Sequence, residues 1–189
     1  MSKRLSILVT LGLVVLFGAA CGSGRQDGSA IEQTTAPASA QAQPTEPAPI
    51  TIVAMGDSLT EGFGLDDPGD AYPAQLERKL QADGYAVTVI NAGNSGETSS
   101  GARSRVDWLL NLEPDIVILA TGGNDGLRGI DPEVTQANLA EITARLQEAE
   151  VTVILAGMEM VQNMGEAYTS AFRAAYPAVS EQYDTLLVP

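Results

Sequence analysis

The 189 residues contain no histidine. Imidazole metal ligation and imidazole general-base catalysis are therefore excluded within this stretch. There is a single cysteine, Cys21, so no disulfide can close within the chain. Lysine is nearly absent: after Lys3 the only one is Lys79. Bases number 10 against 24 acids, for a net charge of −14. Residues 1–50 hold three of each sign (Lys3, Arg4, Arg25; Asp27, Glu32, Glu46), so the whole excess falls on residues 51–189. A domain that acidic has the wrong sign for neutralising phosphates, which argues against nucleic acid and against any long anionic substrate. Aromatics make up 5% and charged residues 18%, while 44% of the chain is apolar. This composition is that of one globular domain with additional segments at its ends, and it excludes collagen-like, coiled-coil and fully disordered chains. No internal repeat is visible.

The N-terminus reads as an address. Lys3 and Arg4 precede an apolar run from Ile7 to Phe17, interrupted only by Thr10 and Gly12. The run is shorter than the roughly 20 residues that span a bilayer, but it has the length of a signal-peptide core. Gly18, Ala19 and Ala20 follow as small residues suited to cleavage. Phe17 to Cys21 resembles the lipobox of bacterial lipoproteins, whose cysteine is acylated and becomes the mature N-terminus. Gly18 stands where that motif usually has a larger aliphatic residue. The expectation is a lipoprotein signal over residues 1–21, lipidation at Cys21, and a protein exported and held at the bacterial cell envelope. The alternative is an ordinary secretory signal with an incidental cysteine. Residues 22–49 are mainly Gly, Ser, Gln, Ala, Thr and Pro, with Ile31 the only large apolar residue. They cannot bury enough surface to offset ordering, and they predict a disordered tether.

From Ile50 onward, short β-branched runs alternate with amphipathic stretches. Strands are predicted at Ile50–Met55, Val87–Ile90, Asp115–Ala120, Val151–Ala156 and Leu186–Val188. Helices are predicted at Ala71–Asp83, Gly101–Leu112, Asp131–Ala149 and Gly165–Gln182, with Pro177 expected to kink or divide the last one. Runs that are apolar on both faces suit a parallel sheet covered on both sides. Right-handed crossovers leave few layouts, and the expected one is a three-layer α/β/α, flavodoxin-like domain over residues 50–189. Its five-stranded parallel sheet has the order 2-1-3-4-5.

In that order strand one lies between strands two and three, so the loops after all three converge beyond the strand ends. These loops are Gly56-Asp57-Ser58-Leu59, Asn91-Ala92-Gly93-Asn94-Ser95-Gly96-Glu97-Thr98 and Gly122-Gly123-Asn124-Asp125. Each alone is an ordinary turn composition. Together they offer a serine hydroxyl, a glycine able to present a backbone N–H, and an asparagine amide, the parts of a site for a tetrahedral oxyanion. In this order the loops resemble blocks one to three of the SGNH (GDSL) hydrolases. Gly122 to Gly129 is similar to the bacterial thioesterase I, lysophospholipase and arylesterase branch, and the resemblance runs from about residue 51 to the end. It implies Ser58 as nucleophile and an oxyanion hole formed by the Ser58 and Gly96 N–H groups and the Asn124 amide. Asp57 would be a structural residue of the turn.

The family's fourth block, Asp-x-x-His after the fifth strand, has no counterpart here. The expectation is a hydrolase truncated at its C-terminus and inactive as it stands for want of the histidine. A non-catalytic fragment or pseudoenzyme is the alternative. Lys79 is predicted mid-helix, far from the strand ends, and offers no substitute base. Met158, Met160, Val161 and Met164 cluster after strand four, either as an adaptable apolar wall for an acyl chain or as core filling under a loop. The related thioesterases carry a Leu-Pro step where this chain has Met160-Val161, so their chain-length preference does not transfer. The only tryptophan, Trp108, lies in the helix after the Gly96 loop, a poor place for stacking on a sugar. The expected substrates are acyl esters or thioesters with a small or aliphatic acyl group, with a carbohydrate O-deacetylase as the alternative. No metal and no cofactor are expected, and the chain is expected to be monomeric.

Overall fold

The computed structural model describes residues 48–160 and 162–189. The apolar run, Cys21, nearly all of the 22–49 segment and Val161 lie outside the described residues.

Five strands form one sheet: β1 (Ile50–Gly56), β2 (Val87–Gly93), β3 (Ile116–Ala120), β4 (Thr152–Ala156) and β5 (Leu186–Val188). Their order is β2-β1-β3-β4-β5 and every pairing is parallel, as the sequence predicts. The connecting helices are α1 (Ser58–Glu61), α2 (Tyr72–Ala82), α3 (Ser99–Ser104), α4 (Val106–Leu110), α5 (Gly123–Leu127), α6 (Pro132–Glu148) and α7 (Glu166–Tyr183).

Register decides the two faces. Val53 pairs with Val117 and Val117 with Val153, while Met55 pairs with Leu119 and Leu119 with Leu155. All six are buried and pack in one cluster with Val106 and Leu109 of α4, Leu139, Ile142 and Leu146 of α6, and Phe172 and Val179 of α7. The α6 residues recur at i, i+3 and i+7, one stripe of a helix. Each such side chain taken fully from water contributes roughly 1.5–3 kcal/mol. Asp131 caps α6 by accepting from Glu133 N at 2.9 Å, and Pro132 opens its first turn.

The opposite face is covered unevenly. Ile52 and Ala54 of β1 and Val87 and Val89 of β2 are buried. On the outer edge of β2, helix α2 supplies partners for the free ladder groups: Val89 N donates to Glu77 Oε2 at 2.6 Å, and Gln81 Nε2 donates to Val87 O at 3.0 Å. That edge is thereby blunted. Toward β5 the cover thins. Ile116, Ile118 and Ile154 are only half-buried, and Leu186 and Val188 are exposed.

Two expectations are corrected. The helix predicted over Gly101–Leu112 is two short helices, broken at Arg105 (φ −109°, ψ 14°), whose side chain turns inward to an ion pair. Pro177 does not divide α7, which runs as one helix from Glu166 to Tyr183. The missing N–H would have bonded the Arg173 carbonyl; both residues are exposed, which leaves the freed carbonyl on the solvent side of the helix.

Candidate active site

The turn after β1 is set by close packing. A Cβ at Gly56 would stand 2.0 Å from Thr60 Oγ1 and 2.6 Å from Ala120 O, so only glycine fits where the chain leaves the sheet. Asp57, 2% exposed, caps α1 by accepting from Leu59 N at 3.0 Å. Ser58 is therefore the first residue of a one-turn helix, half-buried beyond the C-terminal end of β1. Its N–H is one of those that a helix start leaves without an intrahelical partner.

The second segment differs from expectation in where it begins. Asn91 to Gly93 belong to β2, and the free loop starts at Asn94. A Cβ at Gly93 would stand 2.1 Å from Glu61 N, so β2 and α1 touch backbone to backbone. Glu97 N donates to Asn94 O at 3.1 Å, closing a turn with Gly96 at φ +79°, a conformation that favours glycine. Both peptides flanking the Gly96 N–H are held. Ser95 N donates to Glu61 Oε2 at 3.1 Å, and Arg128 Nη2 donates to Gly96 O at 2.8 Å.

Beneath this turn Arg105 grips Glu97. Arg105 Nε lies 2.9 Å from each carboxylate oxygen, and Nη2 lies 2.7 Å from Oε2. Nη2 also donates to Ala92 O at 2.8 Å and Gly56 O at 3.3 Å, tying the ends of β1 and β2 together. The Glu97 side chain is 6% exposed and that of Arg105 17%.

The third segment is also more ordered than a loop. Gly122 takes φ +112°, and a Cβ there would meet the Tyr176 hydroxyl at 2.4 Å. That hydroxyl donates to Thr121 O at 3.0 Å, and burial pushes its pKa well above the usual tyrosine value, so it stays a donor. Helix α5 then starts at Gly123 and places Asn124 in its first turn. Asn124 Nδ2 donates to Glu97 O at 3.0 Å and lies 3.4 Å from Asp57 Oδ2, so one amide bridges all three segments. Next to it, fully buried Asp125 accepts from Ser99 N at 2.7 Å, from Ser99 Oγ, and from Thr135 Oγ1 at 3.3 Å. Asn138 of α6 donates to Ser99 Oγ at 2.8 Å and Ser100 Oγ at 2.9 Å.

A largely apolar groove is lined by Leu59, the residue after Ser58, together with Gly123, Leu127, Met158, Glu159 and Met160. Met158 and Met160 line this groove and also pack against the hydrophobic core, so both alternatives that the sequence leaves open, acyl wall and core filling, stay open. Met164 sits farther along, its methyl beside Gly129, and Val161 lies outside the described residues. Trp108 is exposed on α4 with the Arg105 guanidinium 5.8 Å from its ring. Lys79 is exposed on α2. Sequence reasoning missed Glu61, Glu97, Arg105, Asp125 and Arg128. Arg105 was detectable in principle, as one of only seven bases in the domain and one turn from apolar helix positions.

The model of the GDSL-like lipase/acylhydrolase family matches residues 54–189. Esterase TesA of Pseudomonas aeruginosa is 39% identical over 140 residues, covering 74% of this chain and 69% of that protein. Thioesterase 1/protease 1/lysophospholipase L1 of Escherichia coli K12 is 35% identical over 140 residues, covering 74% of this chain and 65% of that protein. The chain thus spans about two thirds of the length of these curated relatives. Among solved structures, AlinE4, a SGNH-hydrolase family esterase, superposes with a TM-score of 0.73 at 38% identity, covering 77% of this chain and 78% of that one.

Proposed function

The chain belongs to the GDSL-like lipase/acylhydrolase family, an ester hydrolase by that kinship, and we propose that it cleaves acyl esters or thioesters through Ser58. The Ser58 oxygen attacks the acyl carbonyl. The oxyanion that forms is met by the N–H groups of Ser58 and Gly96 and by the Asn124 amide. Collapse expels the alcohol or thiol and leaves an acyl-serine, which water then hydrolyses. One observation carries this reading. Asn124 Nδ2 lies within 3.4 Å of both the Asp57 carboxylate and the Glu97 carbonyl, so the three candidate segments share one amide. The contact to Asp57 is the longer and the weaker of the two, and it is the hydrogen a substrate oxygen would take.

The proton on Ser58 needs a base, and these 189 residues hold no imidazole. Of the carboxylates near it in sequence, Asp57 accepts from Leu59 N and from the Asn124 amide, and Glu61 is engaged by Ser95 N and Oγ. On this reading the 189-residue chain binds acyl substrates but turns them over poorly, and turnover depends on an added Asp-x-x-His segment. The acyl group occupies the groove lined by Met158 and Met160, whose flexible thioethers accommodate aliphatic chains of differing shape. Residues 1–21 direct export, Cys21 carries a lipid anchor, and residues 22–49 tether the domain to the envelope.

A serine-directed fluorophosphonate tests the nucleophile. Labelling should be slow in the 189-residue chain, fast when an Asp-x-x-His segment is joined to it, and lost in Ser58→Ala. Undiminished labelling of Ser58→Ala would show that another residue reacts. For the anchor, radiolabelled fatty acid should enter the wild-type chain in a bacterium and not Cys21→Ser. Equal incorporation in both would sink that assignment.

A further inference from the structure

Of the three candidate oxyanion donors, only the Gly96 N–H belongs to an exposed residue; Ser58 and Asn124 are half-buried. Ser95, before it, is exposed too. Among the described residues outside the turn, the one atom within 4 Å of a Cβ built at Gly96 is Arg128 Nη2, at 3.8 Å. Side-chain packing therefore does not hold this turn. Glycine also gives up more conformational freedom than any other residue when it is fixed, and Gly96 must be fixed at φ +79°. The supports are polar. Glu97 N closes the turn on Asn94 O at 3.1 Å, and two long side chains reach it from outside.

Those side chains come from the helices that carry the other two donors. Ser58 is the first residue of α1 and Glu61 the last. The Glu61 N–H donates to Asp57 O at 2.9 Å, and its nitrogen lies against Gly93, so its backbone has a fixed place. From there Oε2 accepts from Ser95 N at 3.1 Å and from Ser95 Oγ. Arg128 closes α5, whose first turn holds Asn124. Its N–H donates to Asn124 O at 3.2 Å, and its Nη2 donates to Gly96 O at 2.8 Å. The Ser95–Gly96 peptide, which carries the donor, is thus gripped on one side from the helix of Ser58 and on the other from the helix of Asn124.

We infer that Glu61 and Arg128 are positioning residues for ester cleavage: together they aim the Gly96 N–H at the point where the Ser58 N–H and the Asn124 amide converge. Their role rests on the proposed acyl transfer through Ser58. Ionised groups suit it, because hydrogen bonds from a guanidinium or to a carboxylate are shorter and stronger than neutral ones. Both side chains are exposed, and substitutions at such places usually change stability little. Aim is another matter, since a misplacement of about 1 Å can cost about 10²-fold in rate.

Two measurements test the clamp. In the 189-residue chain, NMR relaxation of the Gly96 amide should give an order parameter near the rigid value of about 0.85, falling toward about 0.6 in Arg128→Ala and in Glu61→Ala. The amide of Gly84, in a positive-φ turn after α2, should not change. In the chain joined to an Asp-x-x-His segment, each alanine variant should lower kcat for p-nitrophenyl esters about ten-fold and leave KM within about two-fold, a smaller loss than the roughly 10²–10³-fold of removing a donor outright. Arg128→Lys keeps a charged donor and Glu61→Gln keeps an acceptor, so each should recover part of the rate. Arg103→Gln, which removes an exposed base paired with Glu141 on α6, should leave kcat unchanged. An unchanged Gly96 order parameter in both alanine variants, an unchanged kcat in both, or an equal loss in Arg103→Gln overturns the clamp. Ser58→Ala and Asn124→Ala in the joined chain judge the underlying reading separately. Full turnover in both would remove the oxyanion site, and the clamp with it. Loss of turnover in both, beside full rates in Arg128→Ala and Glu61→Ala, would remove the clamp alone.

Discussion

Two walls of the molecule at the C-terminal ends of the strands are built by opposite means. The wall formed by residues 94–105 is polar, buried and directional. An Arg105–Glu97 pair joins the ends of β1 and β2, and Glu61 and Arg128 hold the peptides on either side of the Gly96 N–H. The wall formed by Met158 and Met160 has only an exposed ion pair, Glu159 with Arg173, between its two methionines, and their thioethers fill spaces left by glycines. The Met158 sulfur lies 3.3 Å from where a Cβ at Gly123 would stand, and the Met160 sulfur 2.1 Å from that of Gly126. The contrast teaches a division of labour. Donors that stabilise a developing charge act best when they need no reorganisation at the moment of reaction. A surface that receives an apolar group of variable length gains from side chains that can repack.

The largest effects are expected on the directional wall. Arg105→Ala leaves the Glu97 carboxylate buried and unpaired, a change that typically costs about 3–5 kcal/mol. Chemical denaturation should show that loss, and Glu97→Gln on the Arg105→Ala background should recover part of it by removing the orphaned charge. If the double variant is as unstable as the single, the carboxylate is not what makes the loss large. Gly93→Ala should be comparably severe. Its Cβ would stand 2.1 Å from the Glu61 backbone nitrogen, which cannot move without dislodging α1. Overpacking against fixed atoms costs roughly 1–3 kcal/mol or more, and a low yield of folded protein with altered near-ultraviolet circular dichroism is the expected result.

Next in size is a rate effect at the amide shared by the three segments. In a chain joined to an Asp-x-x-His segment, Asn124→Ala should lower kcat for p-nitrophenyl esters by about 10²–10³-fold while KM changes little, the signature of a donor that acts on the transition state. A loss confined to KM would make Asn124 a substrate-positioning residue.

How much of this was legible beforehand follows the same division. The sheet order and the convergence of the segments holding Asp57, Glu97 and Asn124 follow from strand alternation and crossover handedness, which are properties of the chain's periodicity. The break at Arg105 was not legible. Helical spacing of Val106, Leu109 and Leu110 suits one continuous helix, and only the inward demand of Glu97, eight residues earlier, interrupts it. Pro177 misled in the other direction, because its penalty depends on whether the freed carbonyl is wet, and sequence does not report exposure. The roles of Glu61 and Arg128 are set by long side chains reaching loops more than thirty residues away in sequence, a distance at which no local pattern speaks.

The smallest effect sharpens the contrast most, because it matches Gly93→Ala in geometry and differs only in what stands opposite. A Cβ at Gly126 would also meet its nearest neighbour at 2.1 Å, but that neighbour is the sulfur of Met160. A thioether has other rotamers to take, whereas a backbone nitrogen in a packed turn has none. Gly126 also lies within α5, away from positive φ, where alanine is favoured over glycine by up to about 1 kcal/mol. The two contributions oppose one another, and Gly126→Ala should change stability by no more than about 1 kcal/mol. Its mark should appear in specificity instead. In a chain joined to an Asp-x-x-His segment, with Met160 pushed into the groove, the ratio of kcat/KM for long over short acyl chains should fall several-fold while the rate on acetyl esters holds, a modest loss of apolar contact being worth about 1–3 kcal/mol of discrimination. An unfolded Gly126→Ala variant would show that this wall is as fixed as the other, and an unchanged chain-length profile would place the acyl group outside the groove.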